Sequence, residues 1–209
     1  MFRTVFLCTL LLFMGGCALS PNGTALRKVG DWESLLDKDL SKWVKWMGVP
    51  HTSVKGLPPG TYQSDIVWNA MGQPLGLNND PKKVFSVIDI DGETVLHVTG
   101  EIYGVLATKQ MYQNYHLKMQ VKWGQKMWKM PPFVDDNQVL DSGVLYHCQG
   151  EHGNSKSIAW RACIESNIMP DNFGQYVGLG GMMGWVRGSV EDNRYDPVST
   201  EYIRTMPYT

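Results

Sequence analysis

The stretch Asp141-Ser142-Gly143-Val144-Leu145-Tyr146-His147-Cys148, followed after a polar connector by Ala159-Trp160-Arg161-Ala162-Cys163-Ile164-Glu165-Ser166-Asn167-Ile168, decides the class of this chain. Both ends read as β-strands. Gln149 to Ile158 between them is rich in Gly, Asn, Ser and charge, as a surface loop is. Side chains alternate across a strand, so the second strand separates Trp160, Ala162, Ile164 and Ile168 from Arg161, Cys163, Glu165 and Asn167. One face is then apolar, and the other gathers a base, an acid and an amide. Such a polar face is either solvated or lines a binding groove.

The segments before it continue the pattern. Val84 to Ile90 alternates, Asp91-Gly92 is a hairpin turn signal, and Thr94 to Val98 returns. Ile102 to Ala107 is a further strand. Tyr112 to Trp123 reads as a long half-buried one, with Tyr115, Leu117, Met119, Val121 and Trp123 on one face and His116, Lys118, Gln120 and Lys122 on the other. Short antiparallel strands punctuated by turns indicate a sandwich or jelly roll. Asp31 to Trp46 places Leu35, Leu36, Leu40 and Trp43 near helical spacing, but Asp37-Lys38-Asp39 interrupts the run. Gly48 to Gly60 and Asp65 to Asp80 read as long irregular connections, of the kind that more often rim a site than idle. Gly124 to Gln138, with Pro131-Pro132, is another loop. After Ile168 the pattern fades: Gly178 to Gly188 is loop-like and Glu191 to Pro197 is polar.

A chain of 209 residues is long enough for one domain with a substantial core. Its net charge of −1, with scattered Lys and Arg, gives no nucleic-acid footprint. Eight Trp and nine Tyr fit a β-sandwich whose surface stacks on sugars, although core packing accounts equally well for such a count.

The N-terminus reads as a targeting segment. Arg3 supplies the positive start, and the apolar run Val5 to Met14 is too short to span a bilayer. It ends in Met14-Gly15-Gly16-Cys17-Ala18, which resembles a bacterial lipobox with Cys17 as the lipidated first residue of the mature protein. The expected organisation is a signal peptide over 1–17, a flexible tether over 18–30 and a domain over 31–209, anchored through lipid at Cys17 to a membrane of the bacterial envelope. Cys8 leaves with the signal, so Cys148 and Cys163 remain. Cys163 shares the face of Glu165, whereas parity puts Cys148 with Val144 and Tyr146. The two sulfurs are therefore expected on opposite sides of the sheet, as free thiols.

In this order the pieces resemble the 3-keto-disaccharide hydrolase family. Trp32-Glu33-Ser34-Leu35-Leu36 with Lys38-Asp39-Leu40-Ser41-Lys42-Trp43 is similar to its opening W-x-x-L-F-(N)-G-K-D-L-S-G-W. Leu106 to Trp123, with Thr108, Tyr112, Tyr115 and Leu117, is similar to its T-x-x-x-Y-x-D-F-x-L strand. Asp141-Ser142-Gly143-Val144 stands where the family has Asn-Ser-Gly-Ile, and Ile164-Glu165-Ser166-Asn167-Ile168 where it has I-E-x-Q-I. The likeness covers Asp31 to Pro197. Lys38 replaces a Gly, Asp141 an Asn and Asn167 a Gln. The family's closing strands, with an E-W-N segment, are not matched, so the resemblance implies either a fragment or a diverged end. The implied fold is all-β, a concanavalin A-like jelly-roll β-sandwich of antiparallel strands.

The implied chemistry is cleavage of sugars already oxidised at C3. The ketone acidifies the hydrogen on C2, a base removes it, elimination expels the glycosidic oxygen, and water adds back. Such a site needs a base near C2, a donor for the enolate and an acid near the leaving oxygen. Glu165, Asp141 and Arg161 are the candidate catalytic groups, with Glu165 as the base or acid. Asn167, His147 and Trp160 are the candidate substrate-binding groups. Asp141 with Glu165 would also imitate the carboxylate pair of ordinary glycosidases. No metal-binding spacing is visible and no cofactor is expected. The expected partners are an oligosaccharide or glycoside substrate and the anchoring membrane. A non-catalytic glycan-binding module, with Trp128, Trp160 and Trp185 as stacking platforms, is the alternative. A structural envelope lipoprotein is a third reading with no positive feature.

Overall fold

The computed structural model describes residues 11–13, 32–67, 72–128, 140–153, 159–191, 194–196, 198–204 and 206–208. Cys17, the 18–30 tether, Pro131-Pro132 and the second half of the 149–158 connector lie outside them. The described strands, in chain order, are β1 Leu11–Phe13, β2 Trp32–Ser34, β3 Trp43–Met47, β4 Gly76–Leu77, β5 Phe85–Ile90, β6 Glu93–Val98, β7 Gly104–Thr108, β8 His116–Lys118, β9 Gly143–Gln149, β10 Ala162–Asn167, β11 Tyr176–Leu179, β12 Trp185–Ser189, β13 Arg194–Tyr195, β14 Tyr202–Arg204 and β15 Met206–Tyr208. No helix occurs among the described residues. The protein is all-β and its sheets are mainly antiparallel, as a jelly-roll sandwich requires. One pairing, β11 with β15, is parallel.

The chain divides into two compact units. The first comprises Met1–Lys45, Asp80–Gly100 and Leu106–Lys126, and the second Trp46–Asn79, Glu101–Val105 and Met127–Thr209.

In the first unit the Asp37–Ser41 stretch turns instead of coiling. The Asp37 carboxylate accepts the Ser41 N–H at 2.8 Å and the Asp39 N–H at 3.2 Å. Leu40 takes a φ of 53° and is buried with Leu35 and Leu36. A side-chain oxygen that satisfies the backbone two and four residues on stabilises a turn where the leucine spacing alone would permit a helix. Positive φ falls on Leu40 and not on Lys38, so the lysine that replaces a family glycine meets no backbone strain. The Asp91-Gly92 signal closes the β5–β6 hairpin with positive φ at both positions, 53° and 84°, and Ile90 pairs with Glu93 across it. β1 lies between β2 and β8 in an antiparallel sheet. The long strand expected over Tyr112 to Trp123 shrinks to three residues. Its alternation survives, with Tyr115, Leu117 and Met119 partly buried and His116, Lys118 and Gln120 exposed.

The second unit carries the site. Its Gly48 to Gly60 connection, expected to be irregular, has no helix or strand but buries Val49 and Val54, whereas Asp65 to Asp80, also expected to be irregular, buries Val67 and contains the short strand β4. Gly48 N–H donates to the Tyr103 carbonyl at 2.8 Å, and Leu75 N–H to the Gly48 carbonyl at 3.1 Å. The main sheet has the order β15-β11-β10-β9. β12 stands between β13 and β14 in a smaller one. The five strands after Ile168 correct the expectation of a fading pattern. β11 is so rich in small and branched residues (Tyr-Val-Gly-Leu, then Gly-Gly) that it imitates a loop, while Val177, Gly178 and Leu179 are all buried.

Candidate functional site

Glu165 sits in the middle of β10, opposite Leu145 on β9 and Val177 on β11. Residues directly opposite in an antiparallel sheet share a face. The Glu165 side of the sheet is therefore also the side of Cys163, Asn167, Leu145, Val177 and Leu179. Those apolar groups, with Trp160, form a buried cluster. The alternation read from the sequence holds, but the side carrying the acid, the thiol and the amide is the enclosed one. The other side, with Ile164, Ser166, Tyr146 and Tyr176, is half-buried, and the Tyr146 and Tyr176 rings meet edge to face at 5.8 Å. Val177 and Leu179 of the neighbouring strand β11 stand beside Glu165 and Cys163 on the first side and pack with Cys163 there.

This enclosure governs the chemistry of Glu165. Burial disfavours its ionised form and the nearby Asp141 carboxylate adds repulsion, so its pKa is pushed up to about 7. Asp141 stands two residues before β9, and the protein around its carboxyl raises it as well. Gly143 makes room for this arrangement. A Cβ built on Gly143 would overlap the Glu165 carboxylate, with Cδ only 2.5 Å away. The glycine is there for clearance, because its φ is not positive. In the sequence, an isolated glycine inside a strand pattern, as at Gly143, is the signal of such an approach.

Arg161, just before β10, lies near Cys148 and His152, lowering the proton affinity of each. Its Nε is buried without a hydrogen-bond partner. His152 was not singled out in the sequence, being one polar residue in a polar connector. Its ring stacks on Trp46 at 5.7 Å with planes 10° apart. Both its nitrogens are buried without partners. Burial, then Arg161, hold it below the usual histidine range, so at neutral pH it is a neutral imidazole that can donate one hydrogen bond and accept another. Gly153 lets the loop close on the same indole, since its Cβ position is 3.1 Å from Trp46 Cζ2 and its φ is +69°. Asp141 thus acts on Glu165, Glu165 on Cys163, and Arg161 on Cys148 and His152.

The expected substrate-binding residues are placed differently. The Asn167 amide is buried and engaged locally: its Oδ1 accepts the Met169 N–H at 3.1 Å, and its Nδ2 donates to Gln175 Oε1 at 3.4 Å and to Met169 Sδ at 3.1 Å. It holds the β10–β11 turn together. His147 is exposed with φ 55°, and its ring meets Tyr146 edge-on at 5.4 Å, Tyr146 being on the side away from Glu165. Trp160 packs against the Cys163 cluster. Of the stacking candidates, Trp185 is the exposed one, at 68 %.

One register difference is a correction. Ala162 pairs with Gln149 but Ile164 pairs with Tyr146, so His147 and Cys148 together oppose Cys163. This is a β-bulge, with His147 as its positive-φ residue. One extra residue resets the parity of β9 and brings Cys148 to the side of Cys163, where parity alone put it on the opposite side. The Cys163 thiol and Cys148 sulfur are hydrogen-bonded, and both are free cysteines.

A comparison with family models settles the kinship: the 3-keto-alpha-glucoside-1,2-lyase-like domain matches residues 31–199. The chain belongs to that family. Among curated proteins and among solved structures nothing matches it. The four motifs quoted above all lie within the matched span, and Asp141, Gly143, Arg161 and Glu165 lie there with them.

Proposed function

We propose that the chain cleaves the glycosidic bond of 3-keto-glucosides by elimination and hydration, with Glu165 as the base. The supporting observation is a half-buried carboxyl whose proton affinity lies near neutrality, beside a second carboxyl and in a chain of this family. General bases work best when their pKa lies near the operating pH. The Glu165 carboxylate takes the proton from C2, whose C–H pair becomes the enolate conjugated with the C3 ketone. The enolate collapses to a C1=C2 double bond as the C1–O bond breaks. The protonated Glu165 returns its proton to the departing oxygen, and water then adds across C1=C2. Arg161 and the neutral His152, with polar atoms that no protein group engages, are suited to hold the enolate oxygen.

Asp141 keeps Glu165 protonated longer by its charge. Trp46, stacked with His152, supplies an aromatic surface for a sugar ring. Export and lipid attachment at Cys17, read from Met14 to Ala18, belong to the same proposal and place this reaction in the envelope.

The test is turnover of a 3-keto-glucoside and of its unoxidised parent by the wild type and by Glu165→Gln. The wild type should act on the keto sugar alone. The variant should lose about 10²–10⁴-fold in rate, the usual size of general acid–base help. Full activity in Glu165→Gln would defeat this assignment, and absence of turnover by the wild type would favour a glycan-binding module.

A further inference from the structure

The bulge places side by side two thiols that the proposed sugar chemistry does not use. Cys148 is exposed, Cys163 is fully buried in the apolar cluster, and the pair share one side of the β9–β10 ladder. The two side chains are hydrogen-bonded to each other across the bulge, so their sulfurs are neighbours, as a disulfide between adjacent strands requires. We propose that Cys148 and Cys163 are a reversible thiol–disulfide site, in which exposed Cys148 takes the first blow from a small-molecule disulfide and buried Cys163 resolves it.

The surroundings divide these roles. The hydrogen bond from the Cys163 thiol, helped by the charge of Arg161, lowers Cys148 to about 7, so near neutrality a large share of it is thiolate. Cys163 is driven the other way by donating that bond, by burial and by the charges of Cys148 and Glu165, and it stays a protonated thiol. The Cys148 thiolate attacks one sulfur of the oxidant, RSSR, forming Cys148–S–S–R and releasing RS⁻. The Cys163 sulfur then attacks Cys148 Sγ, the S–S bond to R breaks, and the Cys163 proton leaves with the departing thiol as RSH. Two protein thiols are oxidised and one disulfide is reduced to two thiols. Burial of Cys163 means that no bulky oxidant reaches it first.

The inference is independent of the sugar reaction and its test needs no sugar. Purified full-length protein is treated with oxidised glutathione and then mapped by non-reducing peptide mass spectrometry, with Cys148→Ser and Cys163→Ser in parallel. The wild type should yield a Cys148–Cys163 linked peptide that dithiothreitol splits. Cys163→Ser should keep one glutathione on Cys148, and Cys148→Ser should leave Cys163 unmodified while folded. On the wild type, alkylation of Cys148 by iodoacetamide should reach half its maximal rate near pH 7, and later in Cys163→Ser. Glutathione retained on wild-type Cys148 without a bridge, or modification of Cys163 in Cys148→Ser at the wild-type rate, would overturn the proposal. The wild-type map stands by itself if either variant misfolds.

Discussion

The carboxyl of Glu165 lies across Gly143 on the neighbouring strand, so close that no side chain fits beneath it. Register explains the contact. Asn167 faces Gly143 directly and Glu165 faces Leu145, which makes Glu165 the diagonal neighbour of the glycine on the same side of the sheet. The Ser-Gly of the motif and the Glu of the next strand are thus one structural unit.

Gly143→Ala should therefore act through Glu165. The methyl must push the carboxylate aside or spread the strands, and misplacement of a reacting group by about 1 Å is able to cost ~10²-fold in rate. A drop of that order in kcat on a 3-keto-glucoside, with KM changed much less, is the expected result. An unchanged kcat would show that the Glu165 position is immaterial to turnover.

The pH dependence of stability has a definite sign. Unfolded, Glu165 loses its proton near its ordinary value of 4.5; folded, it holds the proton to about 7. Between these values the native state binds more protons, so this group's contribution to stability is fully present below 4.5, is lost as the pH rises through 7, and stays lost above it. The shift corresponds to roughly 3 kcal/mol at most. Glu165→Gln has no such loss. Urea denaturation should find the variant equal to the wild type near pH 4 and more stable at pH 8, with the gap opening between. Equal stability at both pH values would mean that the carboxyl is well solvated.

Asp141→Asn restores the amide found in the family and removes the charge that acts on Glu165. The rate of a base rises with its ionised fraction, so the wild-type pH–rate curve should climb with a midpoint near 7. In Asp141→Asn the midpoint should move down while staying above 4.5, because burial, the larger cause, remains. A midpoint that does not move would remove Asp141 from the site.

Lipidation at Cys17 predicts that the wild type partitions with membranes and carries acyl chains on a mature N-terminal Cys17. Cys17→Ser should leave the protein unacylated and unattached to membranes. Mass spectrometry of the wild type showing an unmodified Cys17 would end that reading. Maturation there would also remove β1 from between β2 and β8.

By itself the sequence determined what is local. Alternation over Ala162 to Asn167 and over Tyr115 to Gln120, the Asp91-Gly92 turn and the order of the four motifs follow from near-neighbour sterics and composition. They were enough for the all-β class, the family and Glu165 as the residue to watch. The tertiary structure decided which side of β10 is enclosed, because burial depends on what covers a face. Here Val177 and Leu179 of the in-plane neighbour β11 pack beside Cys163 on that face, and Gly178, Gly180 and Gly181 hid that strand as a loop. It also decided where Cys148 points. A bulge at His147 carries no glycine to announce it, yet one inserted residue inverts every parity argument beyond it. His152 was legible only after folding, since nothing in a polar connector foretells that its ring will lie on Trp46, more than a hundred residues away in the chain.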